Sequence, residues 1–264
     1  MHIARYALDE CVHYGIIENE GSIARLESSP LEGLKRSGAI DSLAAVRLLA
    51  PIAQPRVFGL GYNYVAHSHE VGKAVPQRPV LFMKPSTSVI GPDASIVYPD
   101  DGQNIHFEGE LTVVIGRKAR HVSAADALDH VLGYTCGNDV SDRVLQRSES
   151  EFGCLLAGKG YDTFAPMGPV IATGLDPSRI GIVTRVNGAV RQNGTTADLL
   201  FSVPEIIAYL SRYMTLLPGD MIMTGTPAGV GPIQVGDTIE VEIEGIGILR
   251  NGVVAEDRGS APRG

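Results

Sequence analysis

The chain has 264 residues, of which 44% are hydrophobic and 20% charged, and a formal net charge of −8. This composition is typical of a globular protein with a core of its own, and the lack of any Lys/Arg block argues against nucleic acid or an anionic membrane as a partner. Three cysteines without paired spacing indicate neither a disulfide framework nor a zinc site. The N-terminus does not have the pattern of a signal peptide and no stretch is apolar enough to span a membrane, so we expect a cytoplasmic protein.

Glycine and proline are abundant, at 31 and 16 residues, and many Val/Ile runs occur. Together they predict a mainly β (α+β) fold with tight turns and few helices. We expect residues 1–50 to form a small N-terminal subdomain and residues 51–264 the main domain, because the first segment is too short for a robust core. Within that segment, a short helix is predicted over 41–47 with Asp41 as its N-cap.

A second short helix is predicted from Asn63 to Gly72, after a buried strand. In a helix, His67 and Glu70 share one face, and a carboxylate that orients an imidazole is a common way to build a general base. The alternative is an incidental exposed pair with little energetic weight. A metal site formed by His67 and His69 is a weaker alternative, since these side chains would converge only on a strand.

The segment from His106 to Gly116 is rich in apolar and β-branched residues, and it predicts a strand with Glu108 and Glu110 near its start. Both glutamates point to the same side, where two like charges are costly unless a cation or a shared proton compensates them. Asp139 follows another predicted strand and adds a third acid. Three carboxylates without Cys or paired His ligands favour a hard cation such as Mg²⁺ or Mn²⁺, although the two glutamates alone also fit a solvated strand edge.

Polar residues after that second strand suggest the rest of a site. A helical turn beginning at Asp139 would place Asp139, Arg143 and Gln146 on one face, so that an acid, a guanidinium and an amide point the same way. Lys159 lies between two glycines, where the backbone can approach a ligand closely. Arg143 and Lys159 also fit ordinary surface charges, so the interpretation depends on their neighbours.

Helices are also predicted over 124–132 and after a capping box formed by Ser202 and Glu205. The apolar face of the latter helix is predicted to comprise Ile206, Ile207, Leu210, Tyr213 and Met214. The glycine-rich loop at 225–231 lacks the Lys of a P-loop, so we expect it to offer backbone N–H groups to a carboxylate or enolate oxygen, or to be a tight connection between strands. Residues 256–264 are predicted to be a polar tail.

Taken together, these motifs make the sequence resemble the fumarylacetoacetate hydrolase family over about residues 56–254. The motifs that carry the resemblance are Asn63-Tyr64-x-x-His67-x-x-Glu70, Leu81-Phe82-Met83-Lys84-Pro85, Glu108-Gly109-Glu110-Leu111, Asn138-Asp139-Val140-Ser141-x-Arg143-x-x-Gln146, Gly158-Lys159-Gly160-Tyr161-Asp162-Thr163, Phe201-Ser202-Val203-Pro204-Glu205 and Gly225-Thr226-Pro227-Ala228-Gly229-Val230-Gly231. The resemblance implies a mixed β-sheet roll or barrel with a few short helices, and a homodimer. His69, Gly72-Lys73 and Asp142 depart from the residues usual in the family.

The resemblance also implies a role for each site residue. It gives Glu108, Glu110 and Asp139 as metal ligands, His67 and Glu70 as a catalytic dyad on a mobile lid, Lys159 as the active-site lysine, and Arg143, Gln146 and Thr226 as residues on the substrate side. The implied cofactor is a divalent cation, Mg²⁺ or Mn²⁺, and the implied partner is a small anionic keto acid.

The mechanism that fits these roles is hydrolysis of a C–C bond in a 1,3-diketo acid such as an acylpyruvate. The metal would chelate the α-keto acid end, His67 would deprotonate a water, and the enolate left by cleavage would be stabilised by the metal and Lys159. Decarboxylation of a β-keto acid such as oxaloacetate, or keto–enol isomerisation of a hydroxymuconate-like diacid, would use the same site. A sheet-rich binding protein without catalysis is the alternative from another class.

Overall fold

The structure is a computed structural model that describes residues 1–19 and 21–257. The predicted tail over 256–264 therefore lies almost wholly outside the described residues. The strands of the described part are β1 (His2–Leu8), β2 (Cys11–Asn19), β3 (Ser22–Leu26), β4 (Arg36–Ser42), β5 (Arg47–Leu48), β6 (Val57–Gly61), β7 (Val80–Lys84), β8 (Val89–Ile90), β9 (Ile96–Tyr98), β10 (Ile105–Phe107), β11 (Gly109–Ile115), β12 (Val131–Asn138), β13 (Ser141–Asp142), β14 (Ala165–Ala172), β15 (Gly181–Val186), β16 (Ala189–Thr195), β17 (Met221–Met223), β18 (Gly231–Pro232), β19 (Thr238–Ile243) and β20 (Gly247–Ala255).

Helices are few and short in this part of the chain. The α-helices are α1 (Val65–Glu70), α2 (Arg143–Ser150), α3 (Ala157–Gly160) and α4 (Val203–Tyr213), and the 3-10 helices are Leu43–Ala45, Ser86–Ser88, Ala127–His130 and Thr196–Asp198. No helix among the described residues combines the length and the apolar character that crossing a bilayer requires. The prediction of a mainly β fold with a few short helices is confirmed.

The strands form one large mixed sheet and two smaller sheets. The large sheet has the order β4-β3-β2-β1-β14-β12-β11-β17-β6-β7, with β5 paired to β1 and β8 to β14. A five-stranded sheet has the order β16-β15-β19-β20-β9, and a three-stranded sheet the order β13-β10-β18. Strands β1 to β4 share the large sheet with later strands, because β1 pairs with β14 through His2 opposite Ala172. The division of the chain near residue 50 stays a prediction.

The main core lies where β11 and β12 of the large sheet pack against the five-stranded sheet. Val113 on β11, Ile182 on β15 and Val241 on β19 belong to one apolar cluster and are at most 1% exposed. Burial of each such side chain contributes about 1.5–3 kcal/mol relative to the exposed state. Strands buried on both faces read as continuous apolar runs, which is why β11 was recognisable in the sequence.

Several predicted helical features are wrong. Asp41 does not cap a helix over 41–47: it lies in β4, and its carboxylate accepts hydrogen bonds from Arg25 and Tyr6, which leaves only a 3-10 turn at Leu43–Ala45. The helix predicted over 124–132 shrinks to the 3-10 turn Ala127–His130, because the chain enters β12 at Val131. Tyr213, placed on the apolar face of α4, is 56% exposed.

The helical turn predicted from Asp139 does not exist either. Asp139 is followed by the short strand β13, and α2 begins only at Arg143. The Asp142 carboxylate determines this start, since its Oδ1 accepts the backbone N–H groups of Val144 and Leu145 at 2.9 and 3.0 Å. The predicted strand across His106–Gly116 is likewise divided, with Glu108 between β10 and β11.

Candidate active site

Three buried carboxylates meet where β11 and β12 run side by side. Glu108, Glu110 and Asp139 are at most 4% exposed, and one carboxylate oxygen of each lies within 4.8 Å of the others. The pairing of Gly109 with Asn138 sets this convergence, and the Asp139 N–H donates to the Glu108 carbonyl at 2.9 Å. These are the residues predicted as metal ligands, and the structure brings them together.

Gly109, between the two glutamates, is required by the packing of the sheets. A Cβ atom at this position would lie 2.0 Å from the Thr184 hydroxyl on β15, a separation that no side chain could tolerate. Its N–H donates to the Gln192 side-chain carbonyl at 2.9 Å, and its carbonyl accepts the Thr226 hydroxyl at 2.9 Å. Gln192 in turn donates to the Thr226 oxygen at 2.6 Å. Thr226 and Gln192 therefore position the backbone that carries Glu108 and Glu110.

Three cationic side chains contact the carboxylates of Glu108 and Asp139, and none of the three contacts that of Glu110. Lys159 donates to Glu108 at 3.0 Å and also to Asp139, and Arg143 donates to the other oxygen of Glu108. Lys84, fully buried at the end of β7, donates to Asp139 at 2.5 Å. Glu110 receives only the Gly225 N–H, at 2.7 Å, among the described residues. The cations therefore gather on two of the three carboxylates.

Lys84 was not predicted as a site residue. The sequence signal was a lysine at the end of an apolar strand, which more often extends its ammonium group into water. Here burial lowers the Lys84 pKa to about 8, against the opposing influence of Asp139. A lysine at the end of β7 is recognisable as part of a site only when the distance across the sheet to Asp139 is known.

The charges of the cluster shift its pKa values in opposite directions. Burial alone would raise the pKa of Glu108, but the nearby charges of Arg143 and Lys159 outweigh it and hold that pKa well below the ordinary value. Burial raises the pKa of Glu110 well above the ordinary value, and the neighbouring Asp139 and Glu108 carboxylates add to this. The anionic form of Glu110 is thus disfavoured in this cluster, because no described side chain forms an ion pair with it.

These residues fit a divalent metal ion. The donor set consists only of carboxylate oxygens, which hard cations such as Mg²⁺ and Mn²⁺ prefer. The three oxygens already converge, and the carboxylate of Glu110 lacks a cationic partner among the described residues. A divalent cation would supply the missing positive charge.

His67 and Glu70 form the predicted pair on α1. The His67 Nδ1 atom lies 3.1 Å from Glu70 Oε2, and the second Glu70 oxygen accepts the Gly229 N–H at 2.9 Å. His67 is 5% exposed, so the imidazole lies inside the protein rather than on a helix surface. The pair is therefore not the incidental exposed pair considered from the sequence. Gly229 in the glycine-rich loop fixes the carboxylate that orients it.

One cleft of about 600 Å³ connects these groups. The predicted site residues that line it are His67, Glu70, Glu108, Glu110, Arg143, Gln146, Lys159 and Thr226. Arg143 also donates to the Gln146 side-chain carbonyl at 2.9 Å, so α2 presents both groups to the cleft although Asp139 is not part of that helix. His106 lines the cleft as well, and burial, assisted by Arg143, lowers its pKa to about 4. The arrangement combines a base, a carboxylate set for a cation and groups for an anion.

The chain is similar over most of its length to several known proteins. The chain is 45% identical to 5-carboxymethyl-2-hydroxymuconate delta-isomerase from Mycobacterium smegmatis, with a TM-score of 0.91 over 97% of this chain and 100% of that one. It is 41% identical to human mitochondrial oxaloacetate tautomerase FAHD2A over 79% of this chain and 70% of that protein. Fumarylpyruvate hydrolase from Pseudomonas aeruginosa, in complex with Mn²⁺ and pyruvate, is 35% identical, with a TM-score of 0.74 over 80% of this chain and 92% of that one.

Two family models divide the chain between them. The model described as Rv2993c-like, N-terminal matches residues 1–51, and the model described as Fumarylacetoacetate (FAA) hydrolase C-terminal matches residues 56–254. The second match covers most of the chain and includes every residue of the cleft named above. The resemblance inferred from the sequence motifs is confirmed, and the chain belongs to the fumarylacetoacetate hydrolase family.

Proposed function

We propose that this chain is a divalent-metal-dependent tautomerase that interconverts the keto and enol forms of a small 2-oxo dicarboxylic acid of the oxaloacetate type. The observation that carries the proposal is that the His67–Glu70 pair lines the same cleft as Glu108 and Glu110, whose carboxylates converge with that of Asp139. A base beside a cation site is the arrangement that proton transfer next to a carbonyl group requires.

The three carboxylates would hold Mg²⁺ or Mn²⁺. When bound, the ion supplies Lewis-acid polarisation of the 2-oxo group and of the adjacent carboxylate. Lys159 helps to orient both the Glu108 and the Asp139 carboxylates, since its ammonium group donates to each, and Lys84 donates to Asp139 alone. Because both lysines already contact carboxylates of the set, neither lysine side chain has to move in order to orient them.

His67 is the base in this proposal. Its Nδ1 is held by Glu70, which leaves Nε2 to take the proton from the carbon next to the 2-oxo group. The electron pair of that C–H bond becomes the new C=C bond, the carbonyl oxygen takes the negative charge, and the proton then returns to that oxygen to give the enol. Glu70 favours the imidazolium formed on the way, as a carboxylate beside a catalytic histidine does.

Arg143 and Gln146 hold the anionic substrate in the proposal. Arg143 is 15% exposed in its side chain and faces the cleft beside Glu108, and its guanidinium can bind a carboxylate through two N–H groups. Lys159 is buried, and Asp139 and Glu108 raise its pKa even though burial opposes this, so it remains an ammonium group. It therefore stabilises negative charge on the enolate oxygen rather than acting as a second base.

Tautomerisation is favoured over the other reactions on two grounds. It needs one base and no nucleophilic water. The isomerase from Mycobacterium smegmatis matches this chain over nearly its full length, and human oxaloacetate tautomerase is a 41% identical relative. The hydrolysis of an acylpyruvate, expected first from the sequence, stays a second candidate. The similarity to fumarylpyruvate hydrolase in complex with Mn²⁺ and pyruvate favours this second candidate. In the hydrolysis, His67 of this chain would take its proton from water instead of from carbon.

The test is the enol-to-keto conversion of oxaloacetate, followed through the ultraviolet absorbance of the enol, with product analysis for pyruvate and with a parallel acylpyruvate cleavage assay. We expect conversion with Mn²⁺ present, no pyruvate beyond the uncatalysed amount, and a loss of about 10²- to 10⁴-fold in His67→Ala. His69→Ala is the matched control, since His69 lies on the same helix but is exposed and lies outside the cleft lining. Acylpyruvate cleavage without oxaloacetate conversion would replace the tautomerase by the hydrolase.

The proposal includes a homodimer located in the cytoplasm. One relative is named as mitochondrial, so the location does not follow from family membership. Light scattering of the purified chain tests the oligomer, with an expected mass of twice 28.0 kDa. A mass of a single chain at assay concentrations would contradict the dimer.

A further inference from the structure

Two cationic side chains at the cleft remain without a counter-charge. Lys73 and Arg147 both line the cleft and are exposed. Neither forms a side-chain hydrogen bond or an ion pair with any residue that the structure describes. Lys159 and Arg143, which line the same cleft, are by contrast engaged with Glu108. Of the four Lys and Arg residues that line the cleft, Lys73 and Arg147 are thus the two left available to pair with an anionic ligand.

The fold holds Lys73 in a fixed relation to the His67–Glu70 pair. The Lys73 N–H donates to the Ser68 carbonyl at 2.8 Å, and Gly72 has a φ of +67° and donates to the His69 carbonyl at 3.1 Å. These two bonds form the Schellman motif that closes α1. Lys73 is therefore part of the same local unit as the base, and it lines the cleft as an exposed residue on that side.

Arg147 lies on α2, four residues after Arg143. Residues four apart lie on the same helical face, separated by about 6 Å along the axis. The side chain of Arg143 is 15% exposed and contacts Glu108, whereas Arg147 is exposed, so Arg147 lies nearer to the mouth. The start of α2 is fixed by Asp142, whose second oxygen also accepts the Gln103 N–H at 2.8 Å. Arg143 and Arg147 thus lie one after the other along α2, from the carboxylate set toward solvent.

We propose that Lys73 and Arg147 form a subsite at the mouth of the cleft for a second carboxylate of the substrate, which makes the enzyme selective for diacids over monoacids. This inference rests on the proposed function, since it takes the inner end of the cleft to bind the 2-oxo acid group. A molecule that carries only that group leaves both cations in water. A molecule with a distal carboxylate reaches Arg147 on one wall and Lys73 on the other.

The binding of the distal carboxylate also has a consequence for α1. Because Lys73 is bonded through its backbone to Ser68, an ion pair at Lys73 holds α1 against the cleft. The only other described polar bond that links the His67–Glu70 pair to the opposite loop is the one from the Gly229 N–H to Glu70. A bound diacid would add a second polar contact across the cleft, besides the hydrogen bond from Gly229 to Glu70.

The test compares two probes that remain almost wholly in the keto form at equilibrium and differ in the distal carboxylate: pyruvate, which lacks it, and 2-oxoglutarate, which carries it. Binding of each is measured by calorimetry in the presence of Mn²⁺ for the wild type, Lys73→Gln, Arg147→Gln and the double variant. We expect the wild type to prefer 2-oxoglutarate and each single variant to weaken 2-oxoglutarate about 10-fold, since a charge-assisted hydrogen bond is lost. Pyruvate binding should change by less than about 2-fold, and Lys73→Arg should restore the preference.

Lys118→Gln is the matched control, because Lys118 is also exposed but lies outside the cleft lining. It should leave both affinities unchanged. Equal weakening of pyruvate and 2-oxoglutarate would show general attraction of anions and overturn the subsite, as would a wild type without preference or variants without effect. Since calorimetry measures binding and needs no conversion of the probe, a chain that prefers the diacid but fails to convert oxaloacetate would refute the proposed reaction and keep the subsite.

Discussion

Two buried carboxylates, Asp41 in the N-terminal strands and Glu110 in the cleft, face opposite electrostatic environments. The Asp41 side chain is 7% exposed and accepts two hydrogen bonds from Arg25, at 2.7 and 2.9 Å, and one from the Tyr6 hydroxyl at 2.5 Å. Glu110 is 1% exposed and accepts one backbone N–H among the described residues. The Arg25 bonds lower the pKa of Asp41, whereas burial and the neighbouring carboxylates raise that of Glu110.

This difference indicates that Asp41 is a carboxylate that supports the fold, whereas Glu110 is a carboxylate that is available to bind a ligand. A buried charge with matched partners can hold strands together, and the loss of one partner is then costly. A buried charge without a cationic partner contributes nothing favourable to the fold, so its presence needs another reason. We propose that in the cleft this reason is a divalent cation, which Glu110 would bind together with Glu108 and Asp139. Four changes test this comparison, from the largest expected effect to the smallest.

Glu110→Gln should abolish most of the activity and leave the fold intact. We expect a loss of roughly 10³-fold in metal-dependent kcat, because the Lewis-acid contribution of a metal ion amounts to several kcal/mol. The free energy of unfolding should stay equal or rise, since an uncompensated buried charge is removed. Steady-state kinetics with Mn²⁺ measures kcat, calorimetric titration measures the Mn²⁺ affinity, and denaturant unfolding measures the free energy of unfolding. An unchanged Mn²⁺ affinity would remove Glu110 from the metal site.

Asp41→Asn should show the reverse pattern. The variant leaves Arg25 and Tyr6 without their charged acceptor, so we expect the free energy of unfolding to fall by about 2–3 kcal/mol. The kcat and the Mn²⁺ affinity should remain those of the wild type, because Asp41 contacts none of the cleft residues. A large loss of kcat at unchanged stability would mean that the N-terminal strands take part in the site.

Glu70→Gln should have a smaller effect on activity than the loss of the base itself. The amide still accepts the Gly229 N–H, but it no longer favours the imidazolium form of His67. We expect kcat to fall by about 10- to 100-fold, as for other residues that orient a catalytic side chain, with unchanged Mn²⁺ affinity. A change in KM alone would argue against this role.

The pH dependence of stability should distinguish the two carboxylates most finely. The folded-state pKa of Asp41 lies below its ordinary value of 3.8, so its contribution to stability is fully present above the unfolded-state pKa and is lost as the pH falls through the folded value. The stability gap between the wild type and Asp41→Asn should therefore stay constant from about pH 7 to about pH 5 and narrow as the pH falls below about 4. Denaturant unfolding at a series of pH values measures the gap. A gap that stays constant over the whole series would mean that the hydrogen-bond geometry, rather than the charge, matters.

The sequence predicted those parts of the site that depend on short spacings. His67 and Glu70 are three residues apart on a helix, and Glu108 and Glu110 are two residues apart in an extended segment, so local geometry alone brings each pair together. The strand is interrupted at Glu108, yet the spacing still aims both carboxylates at one point. The mainly β fold followed from glycine, proline and apolar strand patterns in the same way.

The remainder depends on pairings between distant parts of the chain. Asp139 reaches the glutamates because Asn138 pairs with Gly109 across two strands, not because a helix begins there. Lys84 reaches Asp139 from β7, a strand that is not adjacent to β12 in the strand order, and Gln192 supports Gly109 from a different sheet. The helix predicted at 41–47 failed because the Arg25 guanidinium competes for the Asp41 side chain. No local pattern contains these partners.

The enol-to-keto conversion of oxaloacetate by the metal-stripped chain tests the central claim most directly. The chain is treated with a chelator, assayed, and assayed again after Mn²⁺ is added back, with the wild type and Glu110→Gln in parallel. If the chain is a metal-dependent tautomerase, conversion should disappear when the metal is stripped and return with Mn²⁺ in the wild type. It should not return in Glu110→Gln. Conversion that persists in the stripped chain, or that Mn²⁺ restores equally in both, would contradict it.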